Sequence, residues 1–315
     1  MNRTRNTPDV TVLVPAFNEV ENIPELVGAL CAMFDSHGIA GEIVLVDDGS
    51  TDGTWEKATE IAGRETRLKV LRHLANFGKT EAMVTGNRAA SAEVVVLYDA
   101  DMQHAPQEIP RFLAKVREGY DIVCGRKVGD YDKKFVSGIY NFLSRVLFRV
   151  PVRDLNSMKA YRRRILDETP LRHDWHRFFV VLAHNRGYRV TQIDIELLPR
   201  RFGQSKYTGV WRAVIGLLDL LSVKFLLALG RKPMVVFGTG GVLLLALGLV
   251  TGCVALYLRF VLLQGYRPLL YLVLLFVLGG ALLFSLGFLT ELMGQLFDRL
   301  ERIEDRLREI ERDDE

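Results

Sequence analysis

Asp99 and Asp101 close an apolar run, EVVVLYDAD (93–101), and set two carboxylates one residue apart, around Ala100, where a buried strand would end. On a turn leaving a strand, one acid can reach a nucleotide ribose while the other points at a hard cation that neutralises diphosphate oxygens. Oxygen ligands of this kind suit Mg2+ or Mn2+, ions that keep part of their shell for phosphate. Such an ion also serves as a Lewis acid for a departing nucleoside diphosphate. Gln103 can add a ligand or a polar contact behind the ligands. Two more polar turns, Asn18-Glu19 and Asp47-Asp48-Gly49-Ser50, end apolar runs in the same way. Solvated turn residues or helix caps would account for any one of them. Three together point to a ligand site.

The elements that must position these acids are legible around them. VTVLVPAF (10–17), EIVLVDD (42–48), LKVLRH (68–73), EVVVLYDAD (93–101) and DIVCGR (121–126) read as strands. Helical stretches over 23–35, 54–64, 79–90 and 106–118 lie between them. Alternation of this kind predicts an α/β fold, a doubly wound and mostly parallel sheet with helices on both faces. In such sheets ligands bind beyond the carboxyl ends of the strands, and all three acidic turns fall at that edge.

Composition narrows the class. A net charge of +3 is too small to imply a nucleic-acid partner, although Lys and Arg gather between Arg126 and Arg164 and again over 200–206. Cys31, Cys124 and Cys253 sit in apolar surroundings without a Cys-x-x-Cys pair, which argues against a disulfide framework or a zinc site. The first strand is followed by no Gly-x-Gly-x-x-Gly, and no Gly-x-x-x-x-Gly-Lys-Ser/Thr is present. A dinucleotide-binding dehydrogenase and a P-loop ATPase are therefore disfavoured.

The second half of the chain differs. Met234 to Leu258 and Pro268 to Thr290 contain no charged residue and no histidine. Each run can cross a hydrocarbon core of about 30 Å at about 1.5 Å per helical residue. The alternative is a pair of buried core helices. Arg212, Lys224, Arg231 and Lys232 precede the first run and Arg299, Arg302, Arg306 and Arg308 follow the second, whereas the connecting loop offers only Arg259 and Arg267. The positive-inside rule then places both termini and the large domain in the cytoplasm, at the inner face of the cell membrane. No cleavable targeting signal is evident at the N-terminus.

Residues 209–229 read as an interfacial amphipathic helix, with a core-packed helix of the soluble domain as the alternative. Leu296, Leu300, Ile303, Leu307 and Ile310 repeat with heptad spacing, compatible with a homodimer or tetramer. The expected organisation is a catalytic domain over 1–208, an interfacial region over 209–232, spans over 233–258 and 268–290, and a charged helix over 291–315.

VPAFNEVENI (14–23), VDDGSTDGT (46–54), NFGKTEAMVTG (76–86) and DADMQHAP (99–106), in this order, resemble the family 2 glycosyltransferases and their nucleotide-sugar-binding fold. The resemblance implies a nucleotide-sugar site built from Pro15, Phe17, Glu19, Asp48, Lys79, Asp99, Ala100 and Asp101. Glu19 and Asp48 would line base and ribose, Asp99 would face the nucleotide, and Asp101 would hold the metal with Gln103 beside it. Met102 stands where leucine is usual, a volume-conserving departure.

DLNSMKAYRR (154–163), HRFFVVLAHNRGYRV (176–190) and PRRFGQSKY (199–207), followed by two spans, resemble the polyprenyl-phosphate glycosyltransferases. This implies a lipid-phosphate acceptor held by Arg153, Ser157, Arg200, Ser205 and Lys206. Arg201 is an alternative to Arg200, and Lys133 could close over the phosphate or bind lipid headgroups. Arginine forks and hydroxyls suit phosphate. UDP-glucose is the expected donor, with GDP-mannose or an amino sugar as alternatives.

A phosphate acceptor is already an anion, so catalysis is expected to rest on positioning and on stabilising the leaving diphosphate, in one inverting step. Asp101, Asp154 and Arg200 are expected to carry the chemistry. Asp154 is a base or a sugar-orienting carboxylate if it is not consumed in a salt bridge to Arg153 or Arg162. A processive polysaccharide synthase is disfavoured because Gln-x-x-Arg-Trp is absent and two spans are too few for a polymer channel. A non-catalytic scaffold is disfavoured by the intact Asp99, Asp101 and 200–206 loop.

Overall fold

The computed structural model describes residues 7–128, 148, 150–169, 171–198, 218, 221–225 and 233–313. The chain divides into two compact units, Met1–Leu217 and Leu218–Glu315. The division falls near the expected end of the catalytic domain at 208.

The first unit is built on one seven-stranded sheet in the order β3-β2-β1-β4-β6-β5-β7. Its strands are β1 (Val10–Ala16), β2 (Gly41–Asp47), β3 (Leu68–Arg72), β4 (Val94–Leu97), β5 (Ile122–Val128), β6 (Lys159–Arg162) and β7 (Val190–Glu196). Helices α1 (Ile23–His37), α2 (Thr54–Ala62), α3 (Lys79–Ala89) and α4 (Ile109–Arg117) connect the strands, and short helices α5 (Arg163–Asp167) and α6 (Phe179–Asn185) lie downstream. The five expected strands and four expected helices are all present, within a few residues of their expected ends.

Strand register sets the acidic edge. Ala16 pairs with Asp47 and Asp47 with Arg72, so Phe17, Asp48 and His73 leave the sheet in one row. Leu13 pairs with Leu97, which brings the chain after β4 out at the same edge. β6 was not foreseen from the sequence. It runs antiparallel between β4 and β5, with Lys159 opposite Leu97 and Cys124. Because it runs backwards, its N-terminal side emerges at the acidic edge, and residues 153–158 arrive beside Asp99.

The core follows from the two hydrophobic periodicities. On one sheet face Val12, Val14, Val96, Tyr98 and Ala160 pack with Ile23, Leu26, Leu30 and Phe34 of α1 and Phe112 of α4. The α1 residues recur at three- and four-residue spacing, the stripe that an amphipathic helix turns toward a core.

The second unit contains α7 (Pro233–Phe260) and α8 (Arg267–Asp313), joined by a short turn. Pro233–Phe260 and Arg267–Leu296 are each long and apolar enough to cross a membrane. The two helices touch through glycine: a Cβ at Gly241 would lie 2.8 Å from Gly280 O, and one at Gly280 would lie 2.9 Å from Gly241 O. Only residues without side chains permit that approach. The segments read as a span over 268–290 and a charged helix over 291–315 lie on the same helix. α8 is one helix, because Leu, Glu and Arg dominate after Thr290 and no proline interrupts them. Of the expected interfacial helix, residues 218 and 221–225 are helical and the rest of 209–232 lies outside the described residues.

Candidate active site

The first two acidic turns are laced into one scaffold. Asn18 takes the left-handed conformation (φ 54°), which turns the chain sharply after β1. Its amide donates to Ser50 Oγ at 2.9 Å, and Thr51 N donates to its Oδ1 at 2.9 Å. Glu19 N donates to Thr54 Oγ1 at 2.9 Å and Val20 N to Asp52 Oδ2 at 3.1 Å. Burial opposes ionisation of Asp52, but the Thr54 hydroxyl, Val20 N and Thr54 N all donate to its carboxylate, outweigh burial and hold it below the usual range. Most hydroxyls and acids of the DGSTDGT stretch are therefore turn fasteners. Pro15 lies in β1 opposite Val46, and Phe17 follows at the sheet edge.

Asp48 is the second fastener, and its partners were not legible in the sequence. His73 Nδ1 lies 2.7 Å from Asp48 Oδ1, Phe77 N donates to the same oxygen at 3.0 Å, and Gly78 N donates to Oδ2 at 2.7 Å. A carboxylate only accepts, so Nδ1 carries the imidazole proton, and Nε2 accepts from Thr85 Oγ1 at 2.9 Å. Asp48 is 4% exposed. Both its oxygens thus clamp the 76–79 turn onto the strand edge, a role distinct from the nucleoside contact that the resemblance implied. The clamped turn needs Gly78, whose φ is 90°.

That turn delivers Lys79 to Asp99, with which it forms an ion pair. Burial opposes ionisation of Asp99, yet the Lys79 ammonium more than compensates and holds the carboxyl well below the usual carboxylate range. The first acid of the triplet is therefore neutralised from within the protein. Ala100 is buried. Asp101 Oδ1 accepts from Gln103 N at 3.2 Å across Met102, which is left-handed (φ 53°). Gln103 O in turn accepts from Leu198 N at 2.8 Å, which ties the triplet's turn to the chain after β7.

A divalent ion would find few protein ligands at this turn. Among the described residues no group of three His, Cys, Asp or Glu side chains could hold a metal. Asp101, with Asp99 and Gln103 beside it, offers a short set of oxygen ligands. That suits Mg2+ or Mn2+, which draw much of their shell from water and phosphate.

The antiparallel β6 adds the second half of the site. Asp154 is 9% exposed, and its Oδ1 accepts from Asn156 N at 2.9 Å. It makes no ion pair among the described residues: Arg162 bridges Glu93 and Asp121 instead. Ser157 is 3% exposed and its Oγ has no hydrogen-bond partner among the described residues. Arg153 is exposed and held through its backbone N, which donates to Gln192 Oε1 at 2.8 Å. Lys133, Arg200, Arg201, Ser205 and Lys206 lie outside the described residues.

Sequence reasoning singled out HRFF without assigning it a role. Trp175–Arg177 form a 3-10 turn beside α3, and with the 76–79 turn, His173 and Asp174 they enclose a cavity of about 230 Å³.

The sheet is mostly parallel with one reversed strand, a carboxylate pair follows its central strand β4, and Arg153 and Ser157 lie on the segment that enters the reversed strand. The family described as glycosyl transferase family 2 matches residues 11–190, and the chain belongs to it. It is 32% identical over 305 residues to a dodecaprenyl-phosphate galacturonate synthase of Rhizobium johnstonii, covering 92% of this chain and 89% of that one. It is 30% identical over 298 residues to an undecaprenyl-phosphate 4-deoxy-4-formamido-L-arabinose transferase of Salmonella paratyphi A, with the same coverage. In fold it is similar to glucosyl-3-phosphoglycerate synthase of Mycobacterium tuberculosis in complex with Mn2+ and UDP-glucose. There the TM-score is 0.55 at 19% identity, over 69% of this chain and 79% of that one.

Proposed function

We propose that the protein transfers a sugar from a nucleoside-diphosphate sugar to a polyprenyl phosphate, with inversion at the anomeric carbon, at the cytoplasmic face of the membrane. One observation carries the reading: the reversed strand β6 sets Asp154 and the unpartnered Ser157 hydroxyl at the same edge as Asp99 and Asp101. Donor-type and phosphate-type groups then meet at one edge, in a chain that also carries two apolar helices. The names of the two polyprenyl-phosphate relatives support the acceptor class.

In this reading Asp101, with Asp99 and Gln103, holds Mg2+ or Mn2+. That ion, when bound, supplies positive charge to the leaving diphosphate. Glu19 and Asp48 stand on the nucleoside side, Asp48 chiefly by holding the 76–79 turn in place. The buried Ser157 hydroxyl donates to the acceptor phosphate, and the Arg153 guanidinium supplies charge from the rim. Arg200, Ser205 and Lys206 are assigned to the same phosphate, with Arg201 and Lys133 as auxiliaries. Asp154 orients the sugar or the incoming phosphate. No base is required, because the attacking oxygen is already anionic. The catalytic work is orientation and charge stabilisation.

The relatives are named for galacturonate and for a formamido-arabinose, so UDP-glucose stands as one donor to be tested among several. The test is transfer of radiolabelled sugar from a panel of nucleotide sugars to undecaprenyl phosphate, read in the organic phase. A lipid-soluble product is expected with one donor and Mg2+ or Mn2+, and none with chelator. Label that never enters the organic phase with any donor overturns the reading.

A further inference from the structure

The cavity between the 76–79 turn and the 173–177 segment has no fragment of donor or acceptor assigned to it above, and its lining carries two cations, Lys79 and Arg177, and one carboxylate, Asp174. Lys79 lines it and is paired with Asp99. Arg177 lines it, and its guanidinium makes no ion pair or hydrogen bond among the described residues. Lys159 stands behind it at the start of β6. It is 2% exposed, and its ammonium too has no such partner there. The carboxylates nearby are otherwise engaged. Asp99 holds Lys79, Asp154 accepts from Asn156 N, and Asp174 lies at the rim, with its side chain 68% exposed, beside His173.

His176 completes the lining as a neutral donor. Its backbone N donates to Thr80 Oγ1 at 3.1 Å, and its Nδ1 lies 3.2 Å from the same oxygen. With the Thr80 hydroxyl donating to Nδ1, the ring carries its proton on Nε2. Burial, reinforced by Lys79, Arg177 and Lys159, keeps the ring well below its ordinary pKa, so it stays neutral. The same burial pulls the Lys159 ammonium down to about 8, with Cys124, Lys79, Asp99 and Asp154 as its charged and titratable neighbours.

Lys159 is sequestered from water without a hydrogen-bonded anion, a cost that is removed when a ligand brings the anion, and Arg177 is half-buried at the cavity wall. The leaving diphosphate is served by the triplet and its ion, and the acceptor phosphate by the 153–157 and 200–206 groups. The remaining fragment is the transferred sugar. A cavity of about 230 Å³ admits one sugar ring. We propose that this cavity is the subsite for the transferred sugar and that Arg177, supported by Lys159 and neutral His176, selects a sugar bearing a carboxylate. The donor class is then a nucleoside-diphosphate uronic acid and not a neutral hexose. A guanidinium fork matches a carboxylate with two parallel hydrogen bonds, which a neutral hydroxymethyl group cannot replace.

The inference rests on the donor half of the proposed function and is tested by binding, without turnover. The full chain in detergent is titrated calorimetrically with UDP-galacturonate and with UDP-galactose, for wild type, R177K and R177Q. Wild type is expected to bind the acidic sugar nucleotide at least about tenfold more tightly than its neutral counterpart. R177K should keep part of that ratio and R177Q should bring it to within about twofold. Equal binding of the pair by wild type overturns the proposal, as does an R177Q variant that weakens both ligands equally or leaves the ratio intact. If the ratio behaves as expected while no label reaches polyprenyl phosphate, the acceptor reading fails and the sugar subsite stands.

Discussion

Val12, Val14 and Leu45 of the α/β unit have no exposed surface, whereas Leu243, Leu249 and Leu282 of the helical hairpin are 70, 70 and 71% exposed. The hairpin buries Gly238, Gly241 and Gly248 instead. The same apolar chemistry is turned inward in the α/β unit and outward in the hairpin, the pattern that suits a helix long and apolar enough to cross a membrane. Polar groups follow the opposite logic. The α/β unit gathers Asp48, Asp99, Asp154 and Lys159 into an edge where each charge must be matched. The hairpin carries its polar load at its ends, as where Glu291 accepts from Met234 N at 3.4 Å. Changes in the first unit should therefore act through charge and hydrogen bonding, and changes in the second through shape.

The largest effect expected from this contrast is on Asp101. Asp101→Asn keeps the acceptor oxygen for Gln103 N but removes the charge, and should lower transfer by about a thousandfold or more with the circular dichroism spectrum unchanged. Turnover at the wild-type level would break the assignment of the triplet. Asp48→Ala should cost about 2–3 kcal/mol, since it strands two part-buried backbone donors and His73. A urea melt followed by tryptophan fluorescence reads that loss, and an unchanged midpoint would show that the 76–79 turn holds without its clamp.

In the hairpin, Gly241→Val should lower thermal stability in micelles by about 1–3 kcal/mol through overpacking against Gly280 and Phe284. Gly240→Val is the control, because nothing lies within 4 Å of a Cβ there. Equal melting of the two variants would mean that the glycine contact carries no packing. The smallest effect concerns Glu65, whose carboxyl is held at about 2, mainly by hydrogen bonding to Arg67 against a burial penalty. Its folded pKa lies below the ordinary 4.5, so its stabilisation is present above 4.5 and fades as pH falls through about 2. Allowing for partial exposure of the pair, Glu65→Gln should cost about 1 kcal/mol at pH 7. The difference from wild type should shrink in acid, and a pH-independent difference would assign the loss to packing.

Strands β1 to β5, helices α1 to α4 and the two long apolar helices were all legible because each is encoded locally, by β-branched runs, helical spacing or uninterrupted apolarity. The acidic edge was legible too, since strand alternation alone dictates that the turns after β1, β2 and β4 share one side. β6 was not. KAYR is only four residues long and lies among arginines, and its reversed direction depends on the neighbours it pairs with. The His73 clamp on Asp48 joins positions 25 residues apart, and the His176 contact with Thr80 joins positions 96 apart. Neither leaves a periodic trace.

By itself the chain's order of residues determined a mostly parallel α/β sheet with its acids at one edge, the four ordered motifs that resemble the family 2 glycosyltransferases, and two apolar helices. These properties depend on residue type and short spacing. Only the tertiary structure decided that Asp99 is neutralised by Lys79, that Asp48 clamps a turn, that Ser157 and Lys159 reach the site on a reversed strand, and that Arg177 and His176 enclose a cavity beside it. Those outcomes turn on distances between remote segments, and pairing energy falls steeply with distance in a site that excludes water.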